Sequence, residues 1–243
     1  MTFEKFFGHD IDFSKSAQMW TIHHLILSLV ALFSVILTLK ISTKIKTSSK
    51  EANLKKFFVY WLLFLELAYH LHNWTYPRFS VPLHLCSFAV FFIIILLLTD
   101  SKKIWDYAFI FGTIGGIMAL LIPNSLGYTY YNFRYYHFIL LHATILSVPL
   151  YYYKAYNYRL DYQTTMTVYK HTFIIGILVY ILNGFFNTNY WFINEIPSNV
   201  ASTFSNWNVY IVCFIALTFI TVNILYFVSN FPTIFEEKRA KKH

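Results

Sequence analysis

Seven apolar segments, each about 20 residues long, dominate this chain. They lie at about 20–40, 57–75, 81–99, 104–122, 135–153, 169–188 and 209–229. A helix of about 20 mostly apolar residues is long enough to cross the hydrocarbon core of a bilayer. The second segment is the least apolar, because it contains Glu66, His70 and His72. The pattern predicts an all-α, multi-pass protein of the cell membrane, with one membrane domain, 1–243, built as a bundle of seven transmembrane helices.

The charge content agrees with a membrane protein and argues against a nucleic-acid-binding one. Only 12% of the residues are charged, whereas about 25% is usual in soluble domains. The formal net charge is +8, but the basic residues are spread over short connections between apolar segments. No basic module or stripe is present, so we expect no nucleic-acid partner.

The distribution of Lys and Arg predicts how the chain is oriented. Fifteen of the 19 Lys and Arg residues fall in the connections after segments 1, 3 and 5 and in the C-terminal tail. The other four are Lys5, Lys15, Arg78 and Arg134. Cytoplasmic loops carry the excess of positive charge. The N-terminus is therefore predicted outside and the C-terminus in the cytoplasm.

With this orientation, polar side chains collect near the outer ends of the segments. They are Glu66, His70, Asn73, His84, Cys86, Asn124, His137, His142 and Asn183. The inner half of the third segment, "FFIIILLLT" (91–99), has no ionisable group. Polar groups in a membrane usually face a bundle interior or a wet cavity. The pattern predicts a pocket that opens to the outer leaflet and closes toward the cytoplasm.

Two pairs in this set bear on chemistry. Glu66 and His70 are four residues apart on one helix face, and Asn73 continues that face. The carboxylate can orient the histidine and raise its basicity, although a purely structural pair is equally compatible with the spacing. His84 and Cys86 are two apart, so on a helix they point about 200° apart.

Cys86 is the predicted nucleophile, since a thiol paired with a histidine becomes a reactive thiolate. The helical angle makes His84 a poor base for it unless Pro82 disturbs the first turn, and His142 and His70 from other helices are the candidates. Cys213 is expected to be an inert apolar residue, and a disulfide between the two cysteines is a minor alternative.

Segment 4 carries two pairs of small residues, Gly112–Gly116 and Gly115–Ala119. Small residues spaced by four allow helices in a membrane to approach closely. We therefore expect this helix to pack tightly against a neighbour.

Four stretches resemble a known family: "ELAYHLHNW" (66–74), "VPLHLCSF" (81–88), "FGTIGGIMALLIPN" (111–124) and "YYHFILLHATIL" (135–146). Their order and spacing are similar to those of the YwaF-type bacterial integral membrane proteins. That family is related to an animal cysteine-dependent acyltransferase that builds polyunsaturated ether phospholipids. The resemblance implies an acyl-carrying cysteine at Cys86 and an activating histidine at His142, with no metal and no cofactor.

Three functions follow as hypotheses. The first is a lipid acyltransferase or acyl hydrolase that acts on a membrane phospholipid or lysophospholipid, with backbone amides or Asn124 stabilising the oxyanion. The second is a zinc-dependent lipid amidase of the ceramidase type, with three ligands from a histidine set. That set comprises His70, His72, His84, His137 and His142. The third is a transporter or binding protein for a small molecule or lipid, against which the apolar inner halves count.

Overall fold

The chain is described from a computed structural model. It describes residues 3–9, 21–75, 80–121, 128–197 and 201–240, and the side chains of the same residues except 121 and 232–240. Asn124 lies outside these ranges.

The described residues are helical and contain no β-strand. The α-helices are α1 (Phe3–Phe7), α2 (Ile22–Lys46), α3 (Glu51–Trp74), α4 (Leu85–Thr99), α5 (Lys102–Leu121), α6 (Phe133–Ala155), α7 (Tyr162–Phe186) and α8 (Trp207–Ala240). A single 3₁₀ turn, Tyr190–Phe192, follows α7. Each of the seven apolar segments thus coincides with one helix, from α2 to α8.

Side chains at several helix ends explain where the helices begin and stop. Thr21, Asn132 and Asp161 cap α2, α6 and α7, each accepting a hydrogen bond from a backbone N–H in the first turn. Such caps satisfy amides that have no partner inside the helix. Asp100 and Asn187 end α4 and α7 in the left-handed conformation, which short polar side chains tolerate.

Three helices are long and apolar enough to cross a membrane on length and composition alone: α2, α7 and α8 over its first 25 residues. This holds for the described residues. Helix α4 is equally apolar but shorter. The outer faces of these helices expose large apolar side chains, such as Phe33, Phe185 and Val212. Lipid is the surrounding that accommodates such faces.

The chain divides into two compact units, 1–158 and 159–243. In the first unit α6 is central, because it packs against α2, α3, α4 and α5. In the second unit α7 pairs with α8, and the 3₁₀ turn packs on α7.

The glycines of α5 pack as the small-residue pattern predicts, and the tightest contact is with α6. A Cβ atom on Gly112 would clash with the Ile145 carbonyl oxygen, and one on Gly116 would lie 2.9 Å from Leu146 Cβ. Ile145 is four residues before Pro149, which has no N–H to donate to that carbonyl. Without a side chain at Gly112, the α5 backbone can approach this unpaired oxygen.

A network of charged and phenolic groups joins α3, α4 and α6 at the opposite end of the unit from the segment 81–84. Lys55 Nζ lies 2.7 Å from Asp100 Oδ1 and 2.8 Å from Glu51 Oε1. The Tyr156 hydroxyl donates to Glu51 at 2.6 Å. Burial acts to raise the pKa of Glu51, but hydrogen bonds from Lys55, Tyr156 and Tyr151 outweigh it and hold that pKa below its ordinary value. The carboxylate therefore stays ionised and fixes the three helix ends together.

Candidate functional site

The structure collects most of the predicted site residues in the first unit. We call the following set the polar cluster: Glu66 and His70 from α3, His84 and Cys86 from the start of α4, and His137 and His142 from α6. Asn73 is buried on α3, one turn after Tyr69. Three helices that all contact one another therefore supply the cluster.

Asn183 has a different role within the second unit. Its side chain is fully buried and donates to the Tyr190 carbonyl at 3.0 Å and to Asn194 Oδ1 at 2.7 Å. Its own Oδ1 accepts from the Tyr190 backbone N–H at 2.8 Å. These bonds use the whole amide to hold the loop after α7.

Glu66 and His70 form the pair that their spacing predicts. Glu66 Oε1 accepts from His70 Nε2 at 3.2 Å, and both side chains are buried. The other ring nitrogen of His70, Nδ1, is bonded to Ser80 Oγ at 2.8 Å. Because both nitrogens of His70 are engaged, this ring is positioned by its neighbours and is less available as a base than His142.

His84 does not lie on a helix, contrary to the sequence-based geometry. It is the N-cap of α4 with an extended backbone (φ −67°, ψ 151°), and the helix begins at Leu85. The angle of about 200° between His84 and Cys86 therefore does not apply. This is the exception that Pro82 allows: Pro82 and the two residues after it stay outside the helix, so the apolar segment begins four residues before the helix does.

Cys86 is a half-buried free thiol in the first turn of α4. The backbone N–H of the next residue, Ser87, donates to the His84 carbonyl at 3.0 Å. The second cysteine, Cys213 on α8, is an exposed free thiol in the other unit.

His142 is buried on α6 and has a defined tautomer. Its Nδ1–H donates to the Phe138 carbonyl at 2.5 Å. In the neutral ring the second nitrogen, Nε2, then carries the lone pair and can accept a proton. His137 has the opposite arrangement, since its Nε2–H donates to the Leu65 carbonyl at 2.8 Å. That bond ties α6 to α3.

Two consecutive glycines of α5 bring Cys86 and His142 to one place. A Cβ on Gly115 would lie 3.9 Å from the Cys86 Cα atom, and a Cβ on Gly116 would lie 3.3 Å from the His142 carbonyl oxygen. Glu66 is close enough to interact electrostatically with both residues. The backbones of Cys86 and His142 thus both approach the same turn of α5.

Two polar residues of the site were not singled out from the sequence. Ser87 was overlooked as a polar residue in an apolar helix, although it directly follows Cys86. Arg134 was counted only as a loop charge, yet it is 7% exposed and lies in the first turn of α6. An arginine within "FRYYHF" (133–138), among aromatic residues at a helix start, is the signal that would have found it.

The histidine set shows no arrangement for a metal. In the part of the chain that the structure describes, no three His, Cys, Asp or Glu side chains are grouped closely enough to share an ion. The zinc-amidase hypothesis therefore gains no geometric support from these residues.

The fold and the polar cluster together define an α-helical membrane protein with a thiol and several histidines gathered near the start of one helix. Comparison with known families identifies which one: the chain belongs to the TMEM164 family, whose sequence model matches residues 14–226. The comparison with curated proteins gives no match, and neither does the comparison with solved structures.

Proposed function

We propose that this protein is a membrane-embedded lipid acyltransferase or acyl hydrolase in which Cys86 is the nucleophile and His142 its base. The observation that carries the proposal is the packing of these two residues on the consecutive glycines Gly115 and Gly116. The orientation of the His142 ring adds to it, because Nε2 is the nitrogen left to accept a proton. The YwaF-type resemblance places the same two roles on the same two residues.

The reaction proceeds in two transfers. His142 Nε2 takes the thiol proton, and the Cys86 sulfur attacks the ester carbonyl of a phospholipid. The ester C–O bond breaks, the leaving lysolipid oxygen takes the proton from His142, and a thioester remains on Cys86. The hydroxyl of another lysolipid, or water, then gives its proton to His142 and attacks the thioester, which regenerates the thiol.

Cys86 is near the N-terminus of α4, where the helix offers backbone N–H groups to the carbonyl oxygen of the substrate as it becomes negative. The thiolate itself is formed by proton transfer to His142. Glu66 accepts a hydrogen bond from His70, so it orients the cluster rather than taking the thiol proton.

The membrane arrangement is part of the proposal. Helices α2 to α8 cross the cell membrane as seven spans, with the N-terminus outside and the C-terminus in the cytoplasm, and the polar cluster opens to the outer leaflet. The excess of Lys and Arg in alternate connections supports this orientation. At this depth Cys86 is close to the ester carbonyls of outer-leaflet phospholipids.

The test is acyl exchange between phospholipid and lysolipid by the purified full-length protein, with intact-mass detection of an acyl group on the protein. Cys86→Ala and His142→Ala should each lower the rate by several orders of magnitude. The mass increase from the acyl group should be present in wild type and missing in Cys86→Ala. Cys213→Ala is the matched control and should keep full activity.

The contrary outcome is equally definite. If Cys86→Ala, still folded in detergent, exchanges acyl chains at the wild-type rate, the thiol mechanism is wrong. Lipid hydrolysis that persists in this variant and stops on chelation of zinc would favour the amidase hypothesis.

A further inference from the structure

Arg134 is a buried cation for which the proposed mechanism has no use. It lies in the first turn of α6 and is 7% exposed. A guanidinium keeps its charge in any protein environment. A buried charge is unfavourable unless a partner compensates for it.

Its contacts in the structure leave that charge uncompensated. One nitrogen, Nη1, donates to the Tyr69 carbonyl at 3.3 Å. The guanidinium carbon lies 4.0 Å from the centre of the Tyr69 ring and 5.6 Å from that of Tyr128. The Nε–H is buried and has no hydrogen-bond partner. Among the described residues no carboxylate forms an ion pair with Arg134.

The guanidinium is also part of the surroundings of the polar cluster. It is close enough to interact electrostatically with Cys86, His84 and His137. Arg134 precedes His142 by eight residues on the same helix, which is about 12 Å along the axis. Its position at the helix start adds the positive end of the helix dipole to its own charge. An anion placed here would therefore lie about two turns nearer the end of α6 than the proposed base.

We propose that Arg134 binds the phosphate group of the lipid substrate and so places the ester of that lipid over Cys86. The planar fork of a guanidinium matches two phosphate oxygens, and such charge-assisted pairs are among the stronger hydrogen bonds in proteins. In a phospholipid the phosphate and the acyl ester are joined through the three-carbon glycerol unit. When the phosphate is bound at Arg134, near the start of α6, the ester can extend along the helix toward His142. This matches the order of the two residues in α6.

A bound water does not serve the same purpose. Water could accept the Nε–H of Arg134, but it carries no charge and leaves the cation buried and unpaired. A phosphate both accepts the hydrogen bond and neutralises the charge. The proposal depends on the proposed function only for the role of the ester, since phosphate binding can be measured without any reaction.

The experiment compares two ligands with the same acyl chain, one with a phosphate and one without. Binding of 1-oleoyl lysophosphatidylglycerol and of 1-oleoylglycerol is measured with the full-length protein in detergent, for example by native mass spectrometry. Wild type should bind the phosphate-bearing ligand at least about tenfold more tightly. Arg134→Gln should lose this preference, and Arg134→Lys should keep part of it. Lys5→Gln, which removes an exposed cation from α1, is the matched control and should behave as wild type.

Three results would overturn the proposal. The first is a wild type that binds the two ligands equally, which needs no variant and holds even if Arg134→Gln fails to fold. The second is a folded Arg134→Gln that keeps the preference. The third is inorganic phosphate binding as tightly as the lysolipid, which would make the site one for free phosphate.

A separate assay distinguishes this inference from the proposed function. Cleavage of a neutral p-nitrophenyl acyl ester depends on Cys86 and His142 but offers no phosphate to Arg134. Arg134→Gln should cleave this ester with the kcat of wild type while its KM for phospholipid rises. A loss of both activities in the folded variant would assign Arg134 to the thiol chemistry and not to phosphate binding.

Discussion

The two histidines of α6 are five residues apart in one helix, and each commits the opposite ring nitrogen to a backbone carbonyl. His142 donates from Nδ1 to Phe138 in its own helix, whereas His137 donates from Nε2 to Leu65 in α3. The bond of His142 orients a ring within α6 and contributes nothing to the contact between helices. The bond of His137 joins two helices by adding a second hydrogen bond to a carbonyl within α3. The same residue type thus has a structural role at one position and the proposed role of base at the other.

This difference predicts opposite effects of two substitutions. His137→Ala removes the hydrogen bond that ties α6 to the Leu65 carbonyl of α3, which should lower the free energy of unfolding by about 0.5–1.5 kcal/mol. Activity per folded molecule should stay within a few-fold of wild type. His142→Ala should abolish activity with a smaller effect on stability. Denaturant unfolding in detergent and the acyl-exchange assay measure the two quantities side by side. A folded His137→Ala protein as inactive as His142→Ala would show that His137 takes part in the chemistry.

At this scale the sequence predicts those contacts that lie within one regular helix. The bond between Glu66 and His70 follows from their spacing of four, and the structure contains it. The relation of His84 to Cys86 depends on whether Pro82 disturbs the first turn, which hydropathy does not decide, and the helix begins only at Leu85. The burial of Arg134 was missed because it depends on Tyr69 and Tyr128, which reach it from other parts of the unit.

Of the helix contacts described here, the one between α5 and α6 has the least space for an added side-chain atom. The oxygen of Ile145 lacks its helical partner because of Pro149, and Gly112 lies directly against it. Weak Cα–H···O contacts are common where helices meet this closely. Gly116 continues the contact against Leu146 and His142. The contact between α5 and α6 therefore also determines where the proposed base, His142, lies relative to α5.

Alanine at Gly112 should therefore be poorly tolerated. The added methyl group meets backbone and not a flexible side chain, so a helix has to move, which typically costs about 1–3 kcal/mol. We expect Gly112→Ala to lower the unfolding temperature in detergent. Gly115→Ala is the matched control, because its Cβ would have only ordinary contacts, the nearest at 3.8 Å. Equal unfolding temperatures for the two variants would contradict the close contact between Gly112 and the α6 backbone.

The positions of the helices were easier to predict than their ends. All seven apolar segments are helical, but α2 continues to Lys46 and α8 to Ala240, beyond the apolar runs that end near 40 and 229. Hydropathy falls where polar residues begin, whereas a helix continues as long as its backbone bonds do. The close packing of α5 was predictable from its small residues, but the choice of α6 as partner was not, since it depends on the unpaired Ile145 carbonyl.

For the whole molecule, the proposed orientation is open to a direct test. A reporter fused after His243 should be active only in the cytoplasm, because the Lys and Arg excess lies on the side of the C-terminus. A reporter of the opposite specificity, active only outside, should work when fused before Met1. A C-terminal reporter active only on the outside would reverse the orientation and place the polar cluster in the inner leaflet.

What the sequence predicts of the whole molecule is its class, an α-helical membrane protein, and membership of the TMEM164 family agrees with that class. The division after Tyr158 was not foreseen. Hydropathy treats all seven segments alike, and only the contacts between helices separate α7 and α8 from the rest. Asn183 was grouped with the site for the same reason, since its depth was predicted without knowledge of its unit.

That division also bears on how the protein is made. Every residue of the polar cluster, and Arg134 with it, lies before residue 158. Chains leave the ribosome from the N-terminus, and early parts generally fold first. The ribosome therefore finishes the whole set of reactive groups while α7 and α8 are still untranslated. In ribosome-bound chains stalled after α6, the whole polar cluster has already been synthesised. Such chains represent the earliest stage of synthesis at which a cysteine-directed lipid probe should react with the complete site.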